Sequence, residues 1–181
     1  MNAGATVSGN DNCGVYVYSG SFTMNGGTIS NNLDAGVDIG YNGRFTMNDG
    51  TVSGNKNSGV NVNSGGSFNM NGGTISGNAA SRGAGVRTNG TFTMNDGNIS
   101  GNRASEYGGG VFVYSGTFTK IGGIISGYSS DQNNGNVVKD NAGSILARKG
   151  HAVYVNAERR KETTAYSEDN LSSNNVSGWD N

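Results

Sequence analysis

His151 and Cys13 are the only histidine and the only cysteine of the chain, so any imidazole or thiol chemistry must run through them. One histidine excludes a multi-histidine metal site, and every Ser-His-Asp arrangement would have to use this residue. It stands in a turn just ahead of the strand-like "AVYV", where a structural imidazole fits. Cys13 directly precedes Gly14, a slot that later copies of the motif fill with Ala35, Ser58, Ala84 and Gly109. The slot wants a small residue, which a cysteine satisfies without being a nucleophile. A lone cysteine also excludes an intramolecular disulfide and a cysteine-based metal site.

Acid-base chemistry is left to the carboxylates. Asp49 and Asp96 stand where Gly26 and Gly72 occur in an Asn-Gly-Gly turn. If those turns stack at strand spacing, the two carboxylates lie about 10 Å apart on one edge, and a glycosidase pair needs roughly 5 to 10 Å and a cleft around it. No long loop accompanies them to wall a cleft, so turn acceptors and solvated charges are the plainer reading. Stretches such as "GAGVRTNG" and "YGGGVF" lack the following helix and the Gly-Lys-Ser/Thr of a phosphate loop. The calcium pattern GGxGxDxUx is absent as well. No cofactor and no metal are expected, and the chain does not read as an enzyme.

What must position these residues is a repeat. "FTMNGGTIS" at 22–30 returns as "FTMNDGTVS", "FNMNGGTIS", "FTMNDGNIS" and "FTKIGGIIS", its Phe spaced by 23, 23, 24 and 26 residues. A second landmark, Gly followed by Val, falls at Gly14, Gly36, Gly59, Gly85 and Gly110, spaced by 22, 23, 26 and 25. Such periods mark a solenoid, whose units bury their apolar faces only by stacking on one another.

Each unit divides into three short strands of alternating apolar and polar residues: "GVxV", "FTM" and "TIS". Read down the stack, inward positions form rows: Val15, Val37, Val60, Val86, Val111; Val17, Ile39, Val62, Thr88, Val113; the five Phe; Met24, Met47, Met70, Met94; and Val7, Ile29, Val52, Ile75, Ile99, Ile125. Asn25, Asn48, Asn71 and Asn95 fall in the turn after the second strand, and Asn10, Asn32, Asn55, Asn78 and Asn102 in the turn after the third. At about 4.8 Å between coils their amides can hydrogen-bond along the column. A helical alternative fails, since each interior Gly costs on the order of 1 kcal/mol.

Only 33% of the 181 residues are hydrophobic and 33 are Gly, a composition that would suggest disorder if the apolar residues were not so regularly placed. Lys and Arg number 12 against 13 Asp and Glu, for a net charge of -1 with no long run of one sign. That argues against nucleic acid and anionic membrane as partners. No stretch approaches the roughly 18 to 20 apolar residues of a spanning helix. "MNAGATVSGN" is no signal peptide and matches the end of later units, as though the chain starts within a repeat, so a leader removed from a longer protein is the expectation.

Units such as "GGGVFVYSGTFT" followed by "GGIISG", and of the "FTMNGGTISGN" type, resemble the repeats of bacterial surface proteins that fold as right-handed parallel β-helices. They are similar in style to the GGxI and FxxN tetrads of chlamydial polymorphic outer-membrane proteins, and closer to repeat proteins of spirochaetes and gut Bacteroidetes. The resemblance covers roughly residues 6 to 156. It implies right-handedness and a secreted or cell-surface setting in a bacterium.

The expected fold is therefore an all-β, right-handed, single-stranded parallel β-helix of about six coils of 22 to 26 residues, three strands each. Regular coils occupy 1–126, an irregular segment and last coil 127–156, and a C-terminal cap 157–181, with Leu171, Val176 and Trp179 placed to cover the last coil. Within 127–149, "NVV" and "SILA" are candidate strands. Nothing comparable covers the N-terminal coil, which makes end-to-end self-association an expectation. The outward position of the first strand is the one that refuses to repeat: Tyr16, Asp38, Asn61, Arg87, Phe112 and Tyr154, with Tyr18, Tyr41, Asn63 and Tyr114 beside it. Exposed aromatics among polar groups on a flat sheet suit a glycan or a host or cell-surface protein. An adhesin-like module or a presenting stalk is the leading expectation; a polysaccharide-binding or polysaccharide-cleaving β-helix and a purely structural segment are the alternatives.

Overall fold

Three-residue strands with one apolar face have no stability alone, so their order here comes from stacking. The computed structural model describes residues 1–128, 132–147 and 149–156, with the backbone of two further strands, Tyr166–Ser167 and Val176–Asp180. The chain coils into a parallel β-solenoid, and no helix occurs among the described residues.

One wall stacks Val15–Val17, Val37–Ile39, Val60–Val62, Val86–Thr88, Val111–Val113 and Val153–Val155 in parallel, with the expected valines as direct partners. The Phe strands and the "TIS" strands make two more walls. In the first two coils these are single bent strands, Gly20–Ser30 and Gly43–Ser53, whose register slips at the Asn-Gly turn. From the third coil they separate, as in Ser67–Met70 and Thr74–Ser76.

The inward rows close into one core. Phe22, Phe45, Phe68, Phe92 and Phe118 stack with centroids 4.9 to 5.4 Å apart and planes within 18° of parallel. Each fully buried apolar side chain of this size contributes about 1.5–3 kcal/mol. The methionine row ends differently: Lys120 is the partner of Met94 and is fully buried.

Inside one corner runs an asparagine ladder. Asn10 donates from Nδ2 to Oδ1 of Asn32, Asn32 to Asn55, Asn55 to Asn78 and Asn78 to Asn102, all at 2.7–2.9 Å. Each of these oxygens also accepts the backbone N–H of the preceding asparagine. A second, exposed ladder joins Asn95, Asn71, Asn48 and Asn25 on the other turn.

Two expectations are corrected. The first wall has six rungs but the Phe wall only five, so the solenoid makes about five turns and not six. The place after Thr117–Lys120 is taken by Val176–Asp180, which pairs antiparallel, and no sixth parallel Phe strand occurs among the described residues. Tyr166–Ser167 likewise pairs antiparallel with Val153–Val155. Leu171 and the side chains of Val176 and Trp179 lie outside the described residues.

A fourth wall, absent from the three-strand reading, consists of Ala79–Arg82, Arg103–Tyr107 and Val137–Val138. It takes up the extra residues of the units that are 26 and 25 long. Ala84, Ala104 and Val138 form a small core beneath it. "NVV" thus supplies a strand, whereas "SILA" supplies one antiparallel bridge, Ile145 to Lys139.

At the N-terminal end, Thr6–Ser8 pairs with the first long strand, and the Met1 amine donates to the Thr23 carbonyl. Val15–Val17 remains the edge strand of its sheet.

Candidate binding face

Strands that turn Val15 and Val17 towards the core must turn the residue between them outward. Register makes Tyr16, Asp38, Asn61, Arg87, Phe112 and Tyr154 successive partners in one column, as the repeat predicts. A second column on the same face holds Tyr18, Gly40, Asn63, Asn89, Tyr114 and Asn156, tied by backbone N–H bonds to the coil before. Tyr41, expected in this column, is displaced from it. The turn of its coil is one residue longer than that of the first, so Gly40 aligns with Tyr18 and Tyr41 sits out on the turn against Gly65. Gly40 is needed there, because a Cβ would fall 3.0 Å from the Tyr18 Cα and 3.3 Å from the Tyr16 hydroxyl.

The N-terminal half of the face is aromatic and neutral to acidic. Tyr16, Tyr18 and Tyr41 are 58%, 64% and 64% exposed. Beside them Asp38 is already engaged: its Oδ1 accepts from Nδ2 of Asn61 at 2.8 Å and from Nδ2 of Asn63 at 2.9 Å.

The C-terminal half differs from the expectation of exposed aromatics. Phe112 is only 3% exposed. The cause is the fourth wall, which brings Tyr107 over it at 6.3 Å, while Tyr154 lies 5.8 Å away on the next coil. Tyr107 lies between two cations, with Lys149 Nζ 4.3 Å and the Arg82 guanidinium 5.7 Å from its ring centre. Lys149 also donates to the Tyr107 hydroxyl at 3.2 Å, and Arg82 pairs with Glu106. Arg82, Ser105, Glu106, Tyr107, Leu146 and Lys149 line an open recess of about 240 Å³. Sequence reasoning missed Tyr107, Arg82, Lys149 and Asn89; the unequal unit lengths from Gly59 onward were the available signal.

The groups that suggested chemistry have structural engagements. His151 is buried and its Nδ1 accepts the backbone N–H of Val138 at 2.9 Å, joining the last first-wall rung to the fourth wall. Burial, then the charges of Asp38 and Asp34, push the Cys13 thiol above its ordinary 9.0, which disfavours a thiolate. Asp49 and Asp96 each accept the N–H of the following glycine at 2.7 Å, holding Gly50 and Gly97 in the positive-φ region. Among the described residues no three His, Cys, Asp or Glu side chains are grouped to hold a metal.

The face is therefore a two-column surface, aromatic at one end and cationic with aromatics at the other. No family model, curated protein or solved structure matches this chain.

Proposed function

We propose that this chain is a non-enzymatic repeat module of a secreted or cell-surface protein, adhesin-like, that binds glycan along the outward face of its first wall. One observation carries the reading. On a single registered column the inward neighbours stay Val or Ile, with one Thr, while the outward residues read Tyr16, Asp38, Asn61, Arg87, Phe112, Tyr154. Stacking alone would be served by one residue type repeated. Exposed tyrosine rings beside an Asp-Asn-Asn hydrogen-bonding group offer what a sugar needs, an apolar face to stack on and amides to meet its hydroxyls. The structural engagements of His151, Asp49 and Asp96 favour binding over catalysis. The bacterial, surface-exposed setting rests on the repeat resemblance.

A glycan array probed with the wild-type chain and with a Tyr16→Ala/Tyr18→Ala/Tyr41→Ala/Tyr114→Ala variant, which strips the exposed tyrosines from both halves of the face, tests this. Wild type binds a defined set of glycans and the variant loses them while keeping its unfolding midpoint. Equal binding by the variant, or binding only to extracellular proteins, overturns the glycan reading.

A further inference from the structure

Arg87, on the fourth rung, is exposed, and among the described residues no hydrogen bond or ion pair holds its guanidinium. The neighbouring charges are committed elsewhere, Asp38 to Asn61 and Asn63 and Arg82 to Glu106. Backbone fences the stem of Arg87 on one side, since a Cβ on Gly83 would fall 2.9 Å from its Cα.

Two amides flank it. Asn61 precedes Arg87 in the column, and Asn89 lies two residues on, facing the same way. The Oδ1 atoms of both are shielded from solvent yet accept no hydrogen bond. Shielded acceptors of this kind are costly when left unanswered, at about 1–3 kcal/mol each. On the next rung Phe112 forms a floor beside Arg87, and Tyr114, its ring 6.2 Å from that of Phe112, is 44% exposed. Arg87 and Tyr114 are diagonal neighbours, about 7–8 Å apart and within reach of long side chains.

A free guanidinium fork, an exposed phenol ring and two shielded amide oxygens suit one ligand chemistry. A carboxylate takes the paired N–H groups of arginine in a bidentate contact. A pyranose ring stacks on tyrosine, and its hydroxyls answer the Asn61 and Asn89 oxygens when those part-buried side chains turn outward. A neutral sugar leaves Arg87 without an anion, and an aliphatic anion leaves Tyr114 without a face. We propose that Asn61, Arg87, Asn89 and Tyr114 form a subsite for a carboxylate-bearing sugar, either a terminal sialic acid or a chain-internal glucuronate. The subsite rests on the glycan-binding reading above and adds to it the charge of the ligand.

Calorimetry with sialyllactose against lactose, and with a hyaluronan oligosaccharide against its methyl ester, tests the subsite and separates its two sources. At least one acid binds about tenfold or more tightly than its neutral counterpart, and the advantage shrinks with added salt. Arg87→Gln abolishes that advantage without moving the unfolding midpoint, and Tyr114→Ala weakens acid and neutral forms alike. Equal affinity for acid and neutral forms, or an acid preference that survives Arg87→Gln, overturns the subsite and leaves glycan binding by the face standing. Failure to bind any sugar, charged or neutral, overturns both.

Discussion

Asn102 donates from Nδ2 to Oδ1 of Asn136 at 2.8 Å across 34 positions of sequence, in a ladder whose other steps span 22 to 24. Gly127 and Asn136 meet in a parallel bridge, so the ladder picks up again at Asn136 beside the point where the regular coils end. The ladder thus fixes the register of the interruption as well as that of the regular coils.

Replacing a middle member tests that role. Asn55→Ala removes the acceptor of two Asn32 N–H groups and the donor to Asn78, all buried. A loss of roughly 2–4 kcal/mol is expected in denaturant unfolding, with an unchanged slope. Asn55→Asp keeps the acceptor and supplies a donor only while its carboxyl is protonated. Burial raises such a carboxyl above its unfolded value, so the variant is most stable in acid and loses stability as pH rises through the folded value.

Gly20 and Gly43 are register partners, yet they respond differently to a methyl group. A Cβ on Gly20 meets nothing within 4 Å and incurs only the strain of its φ of 86°. A Cβ on Gly43 collides with the Val17 carbonyl of the coil before. Gly20→Ala therefore costs about 1 kcal/mol and Gly43→Ala well above that. Equal melting temperatures for the two variants would contradict the stacking.

Lys120 occupies the fifth place of the methionine row, and burial pulls its pKa below the ordinary 10.5. With the folded value lowered, stability rises with pH between the folded value and 10.5. Wild-type stability should rise as pH climbs from neutral towards the unfolded lysine value, and Lys120→Met should remove that rise. A wild-type stability that stays flat across that range, or a rise that survives Lys120→Met, would count against a desolvated ammonium.

Cys13 should alkylate more slowly at neutral pH than a free cysteine, because its thiol holds its proton more tightly. Burial is the larger cause and Asp38 the next, so Asp38→Asn accelerates the reaction by a few-fold at most. Rates measured with iodoacetamide across a pH series report the thiolate fraction directly.

Much of this fold is legible in the text because each inward row is written in near-identical letters. The valine row, the Phe stack and the asparagine ladder as far as Asn102 all follow from spacing. Asn136 does not, since 34 residues separate it from the previous member and no motif marks it. The fourth wall hides for a related reason: "AASR" and "RASEY" share only Ala-Ser, whose alanine, Ala80 or Ala104, packs in its minor core. Missing that wall led directly to misplacing Phe112, whose outward direction was correct but whose cover, Tyr107, belongs to the unrecognised strand. Tyr41 shows the other limit, where one extra turn residue moves a side chain out of its column.

The polarity of the inner ladder has a consequence for inheritance. From Asn10 to Asn102 each amide donates from Nδ2 to the asparagine of the coil that follows, and Asn136 ends the series, its Nδ2 donating to the main-chain carbonyls of Ser126 and Ile99. A tandem copy of one 23-residue unit, 45–67 for instance, would enter with every donor and acceptor already matched. The length of this rod is therefore a quantity that a gene can alter in whole steps, each duplication also adding one more outward position on which selection can act.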